Sequence, residues 1–111
     1  MNKYETEVIE YKLKLNDSFE KELVAFLNTN GGKVLIGINN NGEVCGVENL
    51  DYTMKSISDI IVNGILPNPQ EYVKVSAKYI EGKMIVEVDI QKGKELYYIR
   101  KYGRSARGLL Y

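Results

Sequence analysis

The chain has no histidine. That removes the commonest general base near neutral pH and the commonest transition-metal ligand, which argues against a hydrolytic triad and a zinc site. A single cysteine, Cys45, excludes an internal disulfide and leaves no second thiol for a metal. One thiol suits an intracellular protein, so a cytoplasmic location is expected. No apolar run approaches the ~18 residues of a membrane span. The opening MNKYETEVIEYK is too acidic and mixed for a signal peptide. No G-x-x-x-x-G-K-[ST] string is present. Any catalysis would therefore rest on carboxylates, lysines or tyrosines. The 111 residues are enough for one compact domain and too few for two, so 1–111 reads as a single domain.

Net charge is zero but unevenly spread. Residues 1–90 hold nine basic and fourteen acidic side chains, a balance of −5. Residues 91–111 hold six basic ones against Glu95 alone, a balance of +5. Such asymmetry points to an anionic partner. The plainer reading is a solvated basic tail.

Hydrophobic periodicity gives the elements. Residues 7–12 alternate as a strand with two mixed faces. Asn16-Asp17-Ser18 opens a helix, with Asp17 as the expected cap and Glu20 as its capping-box partner. Phe19, Leu23, Phe26 and Leu27 form the apolar face, and Asn30-Gly31 ends it. Val34 to Ile38 is nearly all apolar, as in a strand covered on both faces. Asn41-Gly42 signals a hairpin whose return arm is Glu43 to Val47. A second helix points Met54, Ile57, Ile60, Ile61 and Ile65 at the core and stops at Asn63-Gly64 and Pro67-Asn-Pro69. Tyr72–Ile80 and Lys83–Ile90 form a hairpin across Glu81-Gly82, and Leu96–Ile99 adds a last strand. The order β-α-β-β-α-β-β-β describes an α+β domain with a mixed sheet and two helices.

Four stretches, in order, resemble the Schlafen-type, Alba-like (AlbA_2) domain family, to which DNA binding is ascribed and which also carries the label divergent AAA. Glu5-x4-Glu10-Tyr-Lys12 resembles the opening E-x4-E-F-K. Ala25-Phe-Leu-Asn-Thr-Asn-Gly-Gly32 resembles A-F-A-N-T-x-G-G. Val34 to Gly46 resembles L-x-I-G-V-D-D-x-G-x-V-x-G. Tyr98-Ile-Arg-Lys-Tyr-Gly-Arg-Ser105 resembles the closing aromatic, basic and serine segment. In many relatives a further strand follows, so this chain is expected to be a fragment of a longer protein. The resemblance implies the nucleic-acid-binding module of a transcriptional regulator.

Three candidate sites follow. The first is the turn at Asn28, Thr29, Gly31 and Gly32. Phosphate cradles use the N-terminal ends of helices, where free N–H groups point at the anion. This turn lies at a C-terminal end, so it is read as structural, with Asn28 and Thr29 bonding backbone. An ATP-linked regulatory module is the contrary reading. The second is acidic. In nucleolytic Schlafen relatives two glutamates and a hairpin aspartate resemble a Mg²⁺ or Mn²⁺ site that cuts RNA. Glu5 and Glu10 match; the hairpin acids are replaced by Asn39 and Asn40, so severely weakened metal binding with no tight site is expected. Glu10 pairing with Lys12 or another cation is the plainer alternative. The third is basic: Lys92, Lys94, Arg100, Lys101, Tyr102, Arg104, Ser105 and Arg107. Cations neutralise phosphates, hydroxyls donate to them, and tyrosines stack on bases. Tyr97 and Tyr98 interleave with these cations; read as a strand, the segment sets Arg100 and Tyr102 on one side and Lys101 with Tyr97 and Ile99 on the other. A charge-guarded edge strand is the alternative. The reading ranked first is a DNA- or RNA-binding module without cofactor and without membrane partner, not an enzyme. Base specificity would then come from other domains of the longer protein or from a homodimer.

Overall fold

The structure, a computed structural model, describes residues 8–103. A four-stranded mixed sheet has the order β1 (Ile9–Lys12), β2 (Gly32–Ile36), β5 (Lys83–Ile90), β4 (Val73–Ile80). β1 runs parallel to β2, and α1 (Ser18–Leu27) is the crossover between them. The other pairings are antiparallel. α2 (Leu50–Asp59) runs into a π-helical turn, Ile60–Gly64. A two-stranded ribbon then joins β3 (Ile65–Leu66) to β6 (Tyr98–Ile99).

Both helices cover one face of the sheet. Phe19, Leu23, Val24, Phe26 and Leu27 of α1 pack with Ile57 and Ile61 against Val34, Ile36, Val86, Val88 and Ile90. Cross-strand register puts these strand residues on one face: Val34 lies opposite Val88, and Ile36 opposite Val86. β2 is therefore covered on one face only, and the expected double coverage is corrected. Its other face shows half-buried Leu35 and a Lys33–Glu87 ion pair at 3.6 Å. The loop from Gly37 to Gly46 shields Ile85 at the end of that face.

Several boundaries differ from expectation. Asp17 makes no side-chain cap bond. Asn16 takes that role: its Oδ1 accepts from the Ser18 N–H at 3.1 Å, and its carbonyl accepts from the Phe19 N–H at 3.1 Å. The 43–47 return arm forms no strand: beside an isolated Ile38–Val44 bridge, the N–H groups of Cys45 and Gly46 both turn to the Gly37 carbonyl at 2.8 Å, where Gly37 and Gly46 have φ of 105° and 82°. Ile65 reaches the core from β3, not from a helix, because the chain leaves its helical path at Gly64. Strand 96–99 shrinks to Tyr98–Ile99, and Leu96 stays 58% exposed.

Candidate functional site

The Asn28–Gly32 turn follows the last residue of α1. The Asn28 amide grips the backbone of one residue far along the chain. Its Nδ2 donates to the Tyr97 carbonyl at 2.9 Å, and its Oδ1 accepts from the Tyr97 N–H at 2.8 Å. Thr29 Oγ1 donates to the Ala25 carbonyl at 2.7 Å. The Gly31 N–H is used by the Phe26 carbonyl at 2.9 Å and the Lys33 N–H by the Val8 carbonyl at 2.9 Å, so neither points at an anion. Gly31 has φ 79°, and a Cβ there would collide with the Ile90 carbonyl oxygen. At Gly31 the corner packs against the Ile90–Lys92 backbone.

Glu5 lies outside the described residues. Glu10 is exposed on β1. Lys12 does not serve it: the buried Lys12 Nζ donates to Ser18 Oγ at 2.7 Å and pairs with Glu22 at 3.1 Å. Asn39 is committed to its own turn. Its Oδ1 accepts from the N–H groups of Asn41 and Glu43, each at 2.9 Å, and its Nδ2 donates to Glu43 Oε1 at 2.7 Å. Asn40 is exposed at the turn. Among the described residues no three His, Cys, Asp or Glu side chains converge as a metal site.

The basic segment divides into a loop and a turn. Lys92 and Lys94 are exposed on the 91–97 connection. That connection is tied down at several points. Gln91 N–H donates to the Tyr72 carbonyl at 2.8 Å and Gly93 N–H to the Leu27 carbonyl at 2.9 Å, before the Asn28 clamp holds Tyr97. Tyr97 is buried and meets Tyr72 edge-on, ring centroids 6.4 Å apart, so it supports the loop and is not a stacking platform. Burial also pushes the Tyr72 hydroxyl up from its ordinary value.

Residues Arg100–Tyr102 form a 3-10 turn, which corrects the strand reading and its two-sided parity. Arg100 is exposed. Lys101 Nζ pairs with Glu20 at 3.2 Å and lies 5.4 Å from the Tyr102 ring centre. The hydrogen bond that Lys101 donates to the Glu20 carboxylate holds its ammonium above its ordinary value. Tyr102 is half-buried and packs on the core. Glu20 thus faces Lys101 and Gly64 instead of boxing the helix start. Arg104, Ser105 and Arg107 lie outside the described residues. The structure brings Lys92 and Lys94 onto one anchored loop and Arg100 and Lys101 onto the turn that follows β6. Sequence reasoning expected Asn28 to bond backbone but did not find Tyr97 as its partner, and it missed the Glu20–Lys101 pair. Neither has a local spacing signal, since each joins residues from opposite ends of the chain.

The Schlafen, AlbA_2 family model matches residues 5–107. The chain belongs to the Schlafen AlbA_2 family. Solved structures that share its fold include two of note. One is the DIP2311 protein of Corynebacterium diphtheriae, with a TM-score of 0.64 and 19% identity over 86% of this chain. The AlbA_2 chain spans 20% of that protein. The other is the N-terminal domain of an ATP-dependent DNA helicase RecG-related protein from Nitrosomonas europaea. It has a TM-score of 0.67 and 18% identity, with 83% of this chain and 69% of that one covered. No curated protein matches the sequence. No described helix is long and apolar enough to cross a membrane.

Proposed function

We propose that this AlbA_2 domain binds nucleic acid through phosphate contacts made by its basic C-terminal segment, as one module of a longer transcriptional regulator. The observation that carries the reading is the run of six cations against one acid over 91–111, with Lys92, Lys94 and Arg100 exposed. Anchoring helps. A loop already held by backbone bonds loses little further freedom when it meets a phosphate, so less binding energy goes into ordering it. The name of the RecG-related neighbour, which mentions a DNA helicase, is consistent with this reading.

The chemistry is positioning, not turnover. Ammonium and guanidinium groups displace the counterions condensed on a phosphate backbone, and that release drives association. No helix presents a row of side chains to a groove in this reading, so backbone contacts dominate and base discrimination is small. Lys101 contributes less than its charge suggests, because Glu20 already neutralises it. Arg104 and Arg107 extend the charge in sequence, and Ser105 adds a hydroxyl donor.

Fluorescence anisotropy with labelled duplex and single-stranded oligonucleotides tests the reading. Four phosphate contacts predict a slope of about −3 in log K against log salt. Binding that ignores salt, or no binding in dilute buffer, would overturn it.

A further inference from the structure

The short ribbon of β3 and β6 has two unlike sides. Ile65 pairs with Ile99, and both are buried in the core. Leu66 pairs with Tyr98, one residue along, so these side chains leave from the opposite side. There, with Pro67, Glu95 and Leu96, they line an open cleft of about 600 Å³. Small-ligand sites span ~300–1,000 Å³ and are walled mostly by apolar and aromatic groups with a few polar ones. The cleft has that character, with Glu95 as its one charged wall. Its frame is held in place: the ribbon pairs Leu66 with Tyr98, and the Asn28 amide grips the backbone of adjacent Tyr97. Leu96, on the rim, is 58% exposed, an apolar side chain left in water beside the basic groups. Lys94 directly precedes Glu95, and Arg100 follows two residues after Tyr98; both cations are exposed. Glu95 is the sole acid in residues 91–111. A carboxylate repels phosphate, so its place in this cleft suits a ligand group that donates hydrogen bonds.

We propose that this cleft takes one unpaired base of a single strand, DNA or RNA, an inference that rests on the phosphate-binding reading above and narrows its ligand. A nucleobase has a flat apolar face, an edge with hydrogen-bond donors and a phosphate on either side. Tyr98, Leu96 and Pro67 meet the face, Glu95 accepts from an exocyclic amine, and Lys94 and Arg100 take the neighbouring phosphates. In a duplex the face is stacked and the edge is paired, so only an unpaired base offers both. Stacking on an aromatic ring tolerates every base, because each has a π-face. Glu95 adds a modest preference for bases that carry an exocyclic amine, such as cytosine, over thymine and uracil, which lack one.

The test uses the intact chain and labelled oligonucleotides of equal length: cytidine and thymidine DNA strands, cytidine and uridine RNA strands, and a DNA duplex, compared by anisotropy at one low salt concentration. Phosphate contacts alone favour the duplex, whose charge density is higher. Tighter binding of the single strands is therefore the expected result, and it is the reverse of what charge alone gives. Tyr98→Ala is expected to cost single-strand affinity at least about fivefold more than duplex affinity. Leu96→Ala, at an exposed position that leaves the ribbon paired, is expected to act in the same direction with an unchanged melting temperature. Glu95→Ala is expected to raise thymidine binding and erase the preference for cytidine. A duplex bound as tightly as the single strands, or single-strand binding indifferent to both Leu96→Ala and Tyr98→Ala, would overturn the base cleft and leave the phosphate reading standing. Cytidine and thymidine strands bound alike by the parent would overturn the Glu95 contact. Oligonucleotides that fail to bind at all would overturn both readings.

Discussion

Asn28→Asp changes one nitrogen to oxygen and tests the clamp that holds the basic loop. The new carboxylate keeps the acceptor for the Tyr97 N–H. It loses the donor to the Tyr97 carbonyl, which then faces an anionic oxygen where a hydrogen bond of 2.9 Å stood. Tyr97 is 1% exposed, so water cannot readily replace the missing donor. Leaving such a carbonyl unpaired costs about 1–3 kcal/mol, and the facing oxygen adds to it. A protonated aspartic acid restores the donor. The folded state therefore holds the proton more tightly than the unfolded chain, whose aspartate titrates near ~3.9. The sign follows: the variant approaches the parent below about pH 4 and loses stability as pH rises through the raised folded value. A deficit of about 2–3 kcal/mol at neutral pH corresponds to a shift of roughly two pKa units. Urea unfolding of both proteins at acid and neutral pH measures it. Asn28→Ala, which loses both bonds, serves as the control whose deficit does not depend on pH. An Asn28→Asp deficit under about 0.5 kcal/mol at neutral pH would refute the claim that this amide holds the loop.

Other expectations follow from the same geometry. Gly31→Val should destabilise by about 3 kcal/mol or more, since strain at positive φ is joined by a collision with the Ile90 carbonyl; a melt within a few degrees of the parent would contradict it. Calorimetry with Mn²⁺ should show no stoichiometric micromolar site, because Asn39 is bound into its turn; a tight site lost in Glu10→Gln would reverse that. The Lys101–Glu20 contact raises a lysine from its ordinary 10.5, so its contribution is fully present below that pH and disappears as pH climbs past the raised value. Glu20→Gln should remove that alkaline dependence, read by amide exchange in the 99–102 segment.

Legibility in the sequence followed the range of each interaction. The β4–β5 hairpin was readable because its cause is local. Strict alternation in both arms meets Glu81-Gly82, whose φ values of 51° and 79° suit a tight turn, and Ile80 pairs with Lys83 across it. The buried stripe of α1 was readable from helical spacing for the same reason. Ile65 was misplaced because an isoleucine four residues after Ile61 fits a helix as well as a strand, and only its pairing with Ile99 decides. The one-position error at the α1 cap arose because Asn16, Asp17 and Ser18 are all capable caps. At the basic segment, charge was visible but support was not. Tyr97 looked like one more aromatic among cations, and its burial against Tyr72 depends on a partner from another strand boundary.

The central claim is that nucleic acid meets the anchored loop and the turn after β6. Amide chemical-shift mapping during titration with an oligonucleotide tests it most directly. Perturbations should gather at Lys92, Gly93, Lys94, Arg100 and Lys101, and should fade as salt is raised. Perturbations that centre instead on Tyr11, Leu35 and Ser76, on the sheet face away from the helices, would contradict the account.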